Sequence, residues 1–150
     1  MKEDLISVIA SDLITQFEFD TEKFYHSLRI AYRIRTFHNF DSDYILPLAA
    51  LLHDVIEDTN CTIDDLKKLY YNYFVLKFGE ENTQTIFHIV NCITRKTDET
   101  YFDYIRRVAK DEKTRIVKFF DVQDNLARCM INNNSSLRRR YIKALNMLME

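Results

Sequence analysis

The stretch His53-Asp54-Val55-Ile56-Glu57-Asp58 follows the apolar run ILPLAALL and places one imidazole and three carboxylates within six residues. On a continuous helix, side chains at i and i+4 share a face, so His53 would lie under Glu57 and Asp54 under Asp58. A helix C-terminus carries partial negative charge and attracts bases rather than acids. Acids crowded there repel one another unless a cation compensates them, and a divalent metal is the strongest such compensation. Two further residues fit as remote donors. His26 lies in FYHSLRIAYRI next to positions that should face a core, and Asp121 interrupts the apolar run IVKFFDV, where an unpaired carboxylate would be costly. Two His and two Asp, all nitrogen or oxygen donors, suit a six-coordinate Mn²⁺ or Fe²⁺ with positions open to water. They do not suit a closed structural zinc site, which favours thiolates. The other reading of the same residues is a capped helix end at His53-Asp54 and a salt-bridged core acid at Asp121.

The elements that must position these groups read as helices. One Gly and one Pro in 150 residues leave few turns or sheet bends. Leu5, Ile6, Ile9, Leu13 and Phe17 recur at helical spacing over 2–18. Thr21 is a candidate N-cap for a second helix reaching about His38. A third starts after Ser42 and runs to about Glu57, with Pro47 in its first turns, where proline does least damage. Thr62 opens a fourth that stops near Gly79, and a fifth covers 82–94. Thr100 caps a sixth, YFDYIRRVAK; a seventh over 112–131 carries Asp121 and Asn125; SSLRRRYIKALNMLME forms the last. No segment alternates with period two for long enough to be a strand. The expected fold is all-α, a compact bundle of about seven or eight helices forming a single domain over 1–150.

Composition narrows the function. With 47% hydrophobic and 29% charged residues the chain is globular rather than disordered. A net charge of −2 gives no electrostatic reason to expect a nucleic-acid partner. Arg138, Arg139 and Arg140 lie on the polar side of an apolar stripe and read as a solvated face. Cys61, Cys92 and Cys129 are widely spaced and odd in number, which reads as reduced thiols. MKEDLISVIASDL lacks the apolar run of a signal peptide, and no run is long enough for a membrane span, so a cytoplasmic location is expected. His88 and Cys92, one turn apart with no second pair, read as a partly buried core face, His38 as a surface or capping group, and LYYNYFVLKF as core packing.

The ordered set His … His-Asp … Asp resembles the HD-domain metal-dependent phosphohydrolases. HDVIEDT at 53–59 and DVQDN at 121–125 make the likeness closer to the RelA/SpoT-type hydrolases of guanosine 3′,5′-bispyrophosphate and their small stand-alone relatives. FYHSLRIA, ITRKTDETYFDYIRRV and RIVKFFDVQDN are similar to that subgroup too. The resemblance implies His26, His53, Asp54 and Asp121 as metal ligands and Glu57 and Asp58 as the catalytic pair beside the attacking water. It implies Asn125 as a nucleotide contact, and Mn²⁺ as the ion, with Fe²⁺, Co²⁺, Ni²⁺ or Zn²⁺ as alternatives. Transferring phosphoryl groups need cations. Lys23, Arg29, Lys96 and Lys118 are the candidates, Arg29 because it shares the face of His26 and Lys96 and Lys118 because they flank the motifs; a solvated surface charge is the other reading of each. The expected activity is a guanosine 3′,5′-bispyrophosphate 3′-pyrophosphohydrolase-like one on a small-molecule nucleotide. The alternatives are a nucleotide phosphatase of the 5′-nucleotidase or NADP phosphatase type, and a non-catalytic nucleotide-sensing module. A homo-oligomer is compatible with the sequence.

Overall fold

A computed structural model describes residues 4–37 and 44–150. Among them, nine helices and no strands are found, in two compact units, Met1–Thr94 and Arg95–Glu150. His38 and the expected helix start after Ser42 lie outside the described residues.

The first unit holds α1 (Leu5–Gln16), α2 (Thr21–Phe37), α3 (Ile45–Leu52), α4 (Val55–Asp58), α5 (Ile63–Phe78) and α6 (Glu80–Ile93). α3 is its centre, packed against α1, α2 and α6, and every residue from Pro47 to Leu52 is buried. That explains why its sequence lacks a polar stripe: a helix covered all round is apolar all round. Pro47 stands in the first turn, where its missing N–H breaks no helical bond. α1 is tied to its neighbours by two carboxylates. Asp4 caps α1 and accepts from Tyr32 and Arg35 on α2, and Asp12 accepts from the Tyr70 hydroxyl on α5 at 2.6 Å.

Local signals set most helix ends. Thr62 and Asp65 form a reciprocal capping box at the start of α5. Gly79, at φ +83, both ends α5 and begins α6, a conformation glycine adopts without steric cost. The start of α2 differs from expectation. Asp20 rather than Thr21 is the cap, its Oδ1 accepting from Lys23 N at 3.2 Å. Asp is at least as good a cap as Thr, and here it lies one residue outside the helix with its side chain over the free N–H groups.

The third predicted helix is divided. α3 ends at Leu52, and a turn at His53 and Asp54 separates it from the four-residue α4. Asp54, at φ −99 and ψ −2, departs from helical dihedrals, while the i to i−4 pattern resumes with Asp58 N to Asp54 O at 2.8 Å. Of the pair expected on one face, His53 is buried and Glu57 is exposed. His88 corrects a second expectation. The buried face of α6 runs through Thr83, Ile86, Phe87, Val90 and Ile93, which leaves His88 exposed and Cys92 half-buried. The aromatic run divides as helical spacing dictates, with Tyr70 and Phe74 buried and Tyr73 exposed.

The second unit consists of α7 (Tyr101–Ala109), α8 (Glu112–Ile131) and α9 (Ser135–Met149). Thr100, Asp111 and Asn134 cap them in turn through side-chain oxygens. α7 and α8 both pack on α9 or on each other around Tyr104, Ile105, Val108, Val122, Ala144 and Leu148. The three cysteines are free thiols, as their spacing suggests. No helix among the described residues is long and apolar enough to cross a membrane.

Candidate metal centre

Each unit carries part of the predicted constellation. In the first, α2 delivers His26 from the same face as Phe24, Ser27, Ile30 and Ala31, so packing on α3 buries the imidazole. The turn after α3 delivers His53, whose Nδ1 lies 2.6 Å from the Ala50 carbonyl oxygen. A carbonyl only accepts, so Nδ1 carries the proton and donates, which fixes the tautomer and leaves the lone pair on Nε2. That orienting bond from a backbone carbonyl is the usual support of a metal-binding imidazole. The two rings meet edge to face with centroids 5.6 Å apart. Asp54 Oδ2 lies 3.0 Å from His53 Nε2 and 3.8 Å from His26 Nε2. Two electron-rich atoms 3.0 Å apart need a proton or a cation between them. The unit thus presents a buried His/Asp cluster with the donor chemistry of a divalent-metal site.

Glu57 and Asp58 follow on α4. Lys23 Nζ donates to Asp58 Oδ1 at 3.2 Å, so the expected phosphate-holding lysine and one member of the expected catalytic pair meet. Burial, then the neighbouring Asp54 charge, pushes the Asp58 carboxyl above its ordinary range, and Lys23 opposes them. The Lys23 ammonium is raised in turn, chiefly by its bond to Asp58. Beside Glu57 and Asp58 lies a cleft of about 770 Å³, walled also by Phe17, Asn60, Cys61 and Lys68. A volume of this order holds a small organic ligand. His26 and His53 are not on its wall. Arg29 stands exposed on α2.

In the second unit Asp121 is buried in the middle of α8. Lys118 Nζ donates to its Oδ2 at 2.5 Å and Asn125 Nδ2 to its Oδ1 at 2.9 Å. These residues are one turn before and one turn after Asp121, so α8 itself holds the carboxylate from both sides. Sequence reasoning placed Lys118 and Asn125 on substrate; in the structure both are bonded to Asp121. Burial works against the Lys118 charge, but the electrostatic pull of Asp121, and after it of the Tyr104 and Tyr101 phenol groups, outweighs it and holds the ammonium well above its ordinary value. Lys96 is exposed, and its backbone N–H donates to Glu99 at 3.0 Å. Sequence reasoning missed Tyr101 and Tyr104. Both stand near Lys118, whose ammonium is 4.8 Å from the Tyr104 ring centroid. Nothing in an aromatic residue on an amphipathic helix distinguishes such a placement from plain core packing.

The all-α fold is shared with a solved structure. A solved structure described as a metazoan ortholog of SpoT, which hydrolyses ppGpp and plays a role in starvation responses, superposes with a TM-score of 0.63 at 21% identity. The match covers 95% of this chain and 80% of that one. No family model and no curated protein matches the chain.

Proposed function

We propose that this protein is a metal-dependent phosphohydrolase of a nucleotide, with a guanosine 3′,5′-bispyrophosphate 3′-pyrophosphohydrolase-like activity. The observation that carries the reading is Asp54 Oδ2 within 3.0 and 3.8 Å of Nε2 on two buried histidines. The fold likeness to a ppGpp hydrolase supports it, as does the ordered sequence pattern. His26, His53 and Asp54 would hold the ion, with Asp121 as fourth ligand on the strength of that pattern. When bound, the ion lowers the pKa of a water ligand and polarises a phosphoryl oxygen. Mn²⁺ fits the donor set, with Fe²⁺, Co²⁺, Ni²⁺ or Zn²⁺ as competitors.

The chain's own residues do the rest. His53 is locked in the ligating tautomer by Ala50. Glu57, exposed beside the cleft, accepts a proton from the attacking water, and Asp58, whose carboxyl is raised, returns one to the leaving group. Lys23 and Arg29 attract the phosphates. Lys118 and Asn125 keep Asp121 oriented, as the supporting shell of a metal site does.

Purified protein should release diphosphate from guanosine 3′,5′-bispyrophosphate in the presence of Mn²⁺, and Asp54→Ala should lose both bound metal and turnover. Orthophosphate from a nucleoside monophosphate or NADP would instead place the activity among phosphatases. Metal binding with nucleotide binding but no turnover on any of these would make the protein a sensor.

A further inference from the structure

The second unit contains two buried polar atoms that the fold leaves without a hydrogen-bond partner on adjacent side chains. They are the Tyr101 hydroxyl at the start of α7 and Nε of Arg140 on α9. The guanidinium carbon of Arg140 is 4.0 Å from the Tyr101 ring centroid and 5.5 Å from that of Tyr141. The guanidinium therefore lies over the Tyr101 ring, within cation–π distance. Buried polar groups are almost always satisfied, so two orphans side by side call for a specific account.

The surroundings specify the missing partner. Lys118 and Arg140 both bear on Tyr101, as does the carboxylate of Asp121. Asp121 is already held by Lys118 and Asn125. Burial raises the Tyr101 hydroxyl above its ordinary acidity range, so it remains a protonated donor at neutral pH. Arg140 Nε–H can only donate. An acceptor that suits a hydroxyl and a guanidinium together, beside a further ammonium, is an oxyanion, and the planar guanidinium fork favours one with several oxygens, such as phosphate. Arg140 thus departs from the solvated face expected of Arg138 to Arg140; only the first two are fully exposed.

We propose that Tyr101 and Arg140 form an oxyanion subsite of the second unit that takes a phosphate or pyrophosphate group. The site stands on the two orphaned donors and is independent of the phosphohydrolase reading. A purely structural role is the rival, and it makes opposite predictions. A buried hydroxyl that bonds nothing is replaced by hydrogen at no cost or with a gain in stability. Tyr101→Phe should therefore keep or raise the melting temperature under either reading, and only a ligand role makes it weaken anion binding.

The test titrates inorganic pyrophosphate and orthophosphate into the full chain by calorimetry, with chelator present so that no metal contributes. The wild-type protein should bind pyrophosphate, and Tyr101→Phe should bind it about tenfold more weakly, the scale expected for one hydrogen bond to a charged group. Arg140→Gln should weaken it further and Arg140→Lys recover part of the loss. Absence of pyrophosphate binding to the wild type, or equal binding by wild type and Tyr101→Phe, overturns the subsite. If hydrolysis proceeds in Mn²⁺ while the variants bind and turn over normally, the subsite falls and the hydrolase reading stands. If pyrophosphate binds through Tyr101 but no phosphorylated nucleotide is hydrolysed, the hydrolase reading falls and the subsite stands.

Discussion

Asp54 is the residue on which the chemistry of the first unit depends, because its carboxylate faces both buried imidazoles. Saturating Mn²⁺ should raise the melting temperature of the wild-type protein, since a ligand that binds only the folded state stabilises it by an amount that grows with the logarithm of its concentration above Kd. Asp54→Asn keeps the volume and removes the charge, so its melting temperature should respond little to Mn²⁺; an undiminished response would remove Asp54 from the ligand set. Asp58 makes a prediction with a definite sign. Burial and Asp54 raise its carboxyl, and the Lys23 ammonium at 3.2 Å lowers it. Lys23→Met removes the lowering partner, so Asp58 should take up its proton at a still higher pH. In a pH–rate profile the limb governed by Asp58 should move toward alkaline pH, and a limb that stays in place or moves toward acid would break the assignment. The burial of His26 and Asp121 was legible in the sequence because each puts a polar group where apolar spacing promises burial, whereas Asp54 and Asp58 stood out only as acids crowded after an apolar run. Tyr101 and Arg140 were not legible, because a tyrosine at a helix start and an arginine in a basic run carry no such mismatch.

At the scale of elements, legibility followed the locality of the signal. The caps at Thr62 and Thr100 and the glycine at 79 act through bonds within a few residues, and the helix ends they set were readable. The division of α3 from α4 was not. Nothing in ALLHDVIEDT forbids a continuous helix; His53 leaves it because its Nδ1–H bonds back to Ala50 and its ring is buried beside His26 from another helix. The segment leading into α7 shows the local kind of control in a form that pH can test. Arg107 donates to both carboxylate oxygens of Glu99, at 2.5 and 3.0 Å, while Arg95 NH2 bonds the Glu99 carbonyl at 2.9 Å. The Arg107 guanidinium holds the Glu99 carboxyl down at about 2. A carboxyl depressed in the folded state adds stability at pH above its unfolded value, and that stability drains away as pH falls through the folded one. The pair is partly solvated, which reduces its worth to roughly 1 kcal/mol. Arg107→Leu should lose about that much at pH 7, and the difference from wild type should shrink steadily between about pH 4.5 and about pH 2. A difference that persists at the acid end would mean that Arg107 acts through packing against Tyr104 rather than through Glu99.

At the scale of the whole molecule the nearly neutral net charge hides a division. Residues 1–94 carry 8 Lys and Arg against 15 Asp and Glu, a net of −7, and residues 95–150 carry 13 against 8, a net of +5; together they give the −2 of the chain. Composition read over the full length therefore concealed the property most relevant to function. No linker announces the boundary between the units at Thr94, and the change in charge sign across it shows only once the chain is divided there. On the proposed reading, the division matches the two partners that a metal-dependent phosphohydrolase must hold. An acidic unit that contains two buried histidines and Asp54 favours a divalent cation, and a basic unit containing Arg140, Lys143 and Lys118 favours a polyanion. Attraction between solvent-exposed charges is screened over about 10 Å at about 0.1 M salt and over about 3 Å at about 1 M. With metal kept saturating, raising NaCl from about 50 mM to about 500 mM should raise KM for a polyphosphorylated nucleotide roughly three- to tenfold, with kcat held within about twofold. The effect should grow with the number of phosphates, because each added charge is drawn by the same basic unit. A KM indifferent to salt, or equally sensitive for a monophosphate and a tetraphosphate, would mean that close contacts alone bind the substrate and that the +5 of the second unit has no part in gathering it.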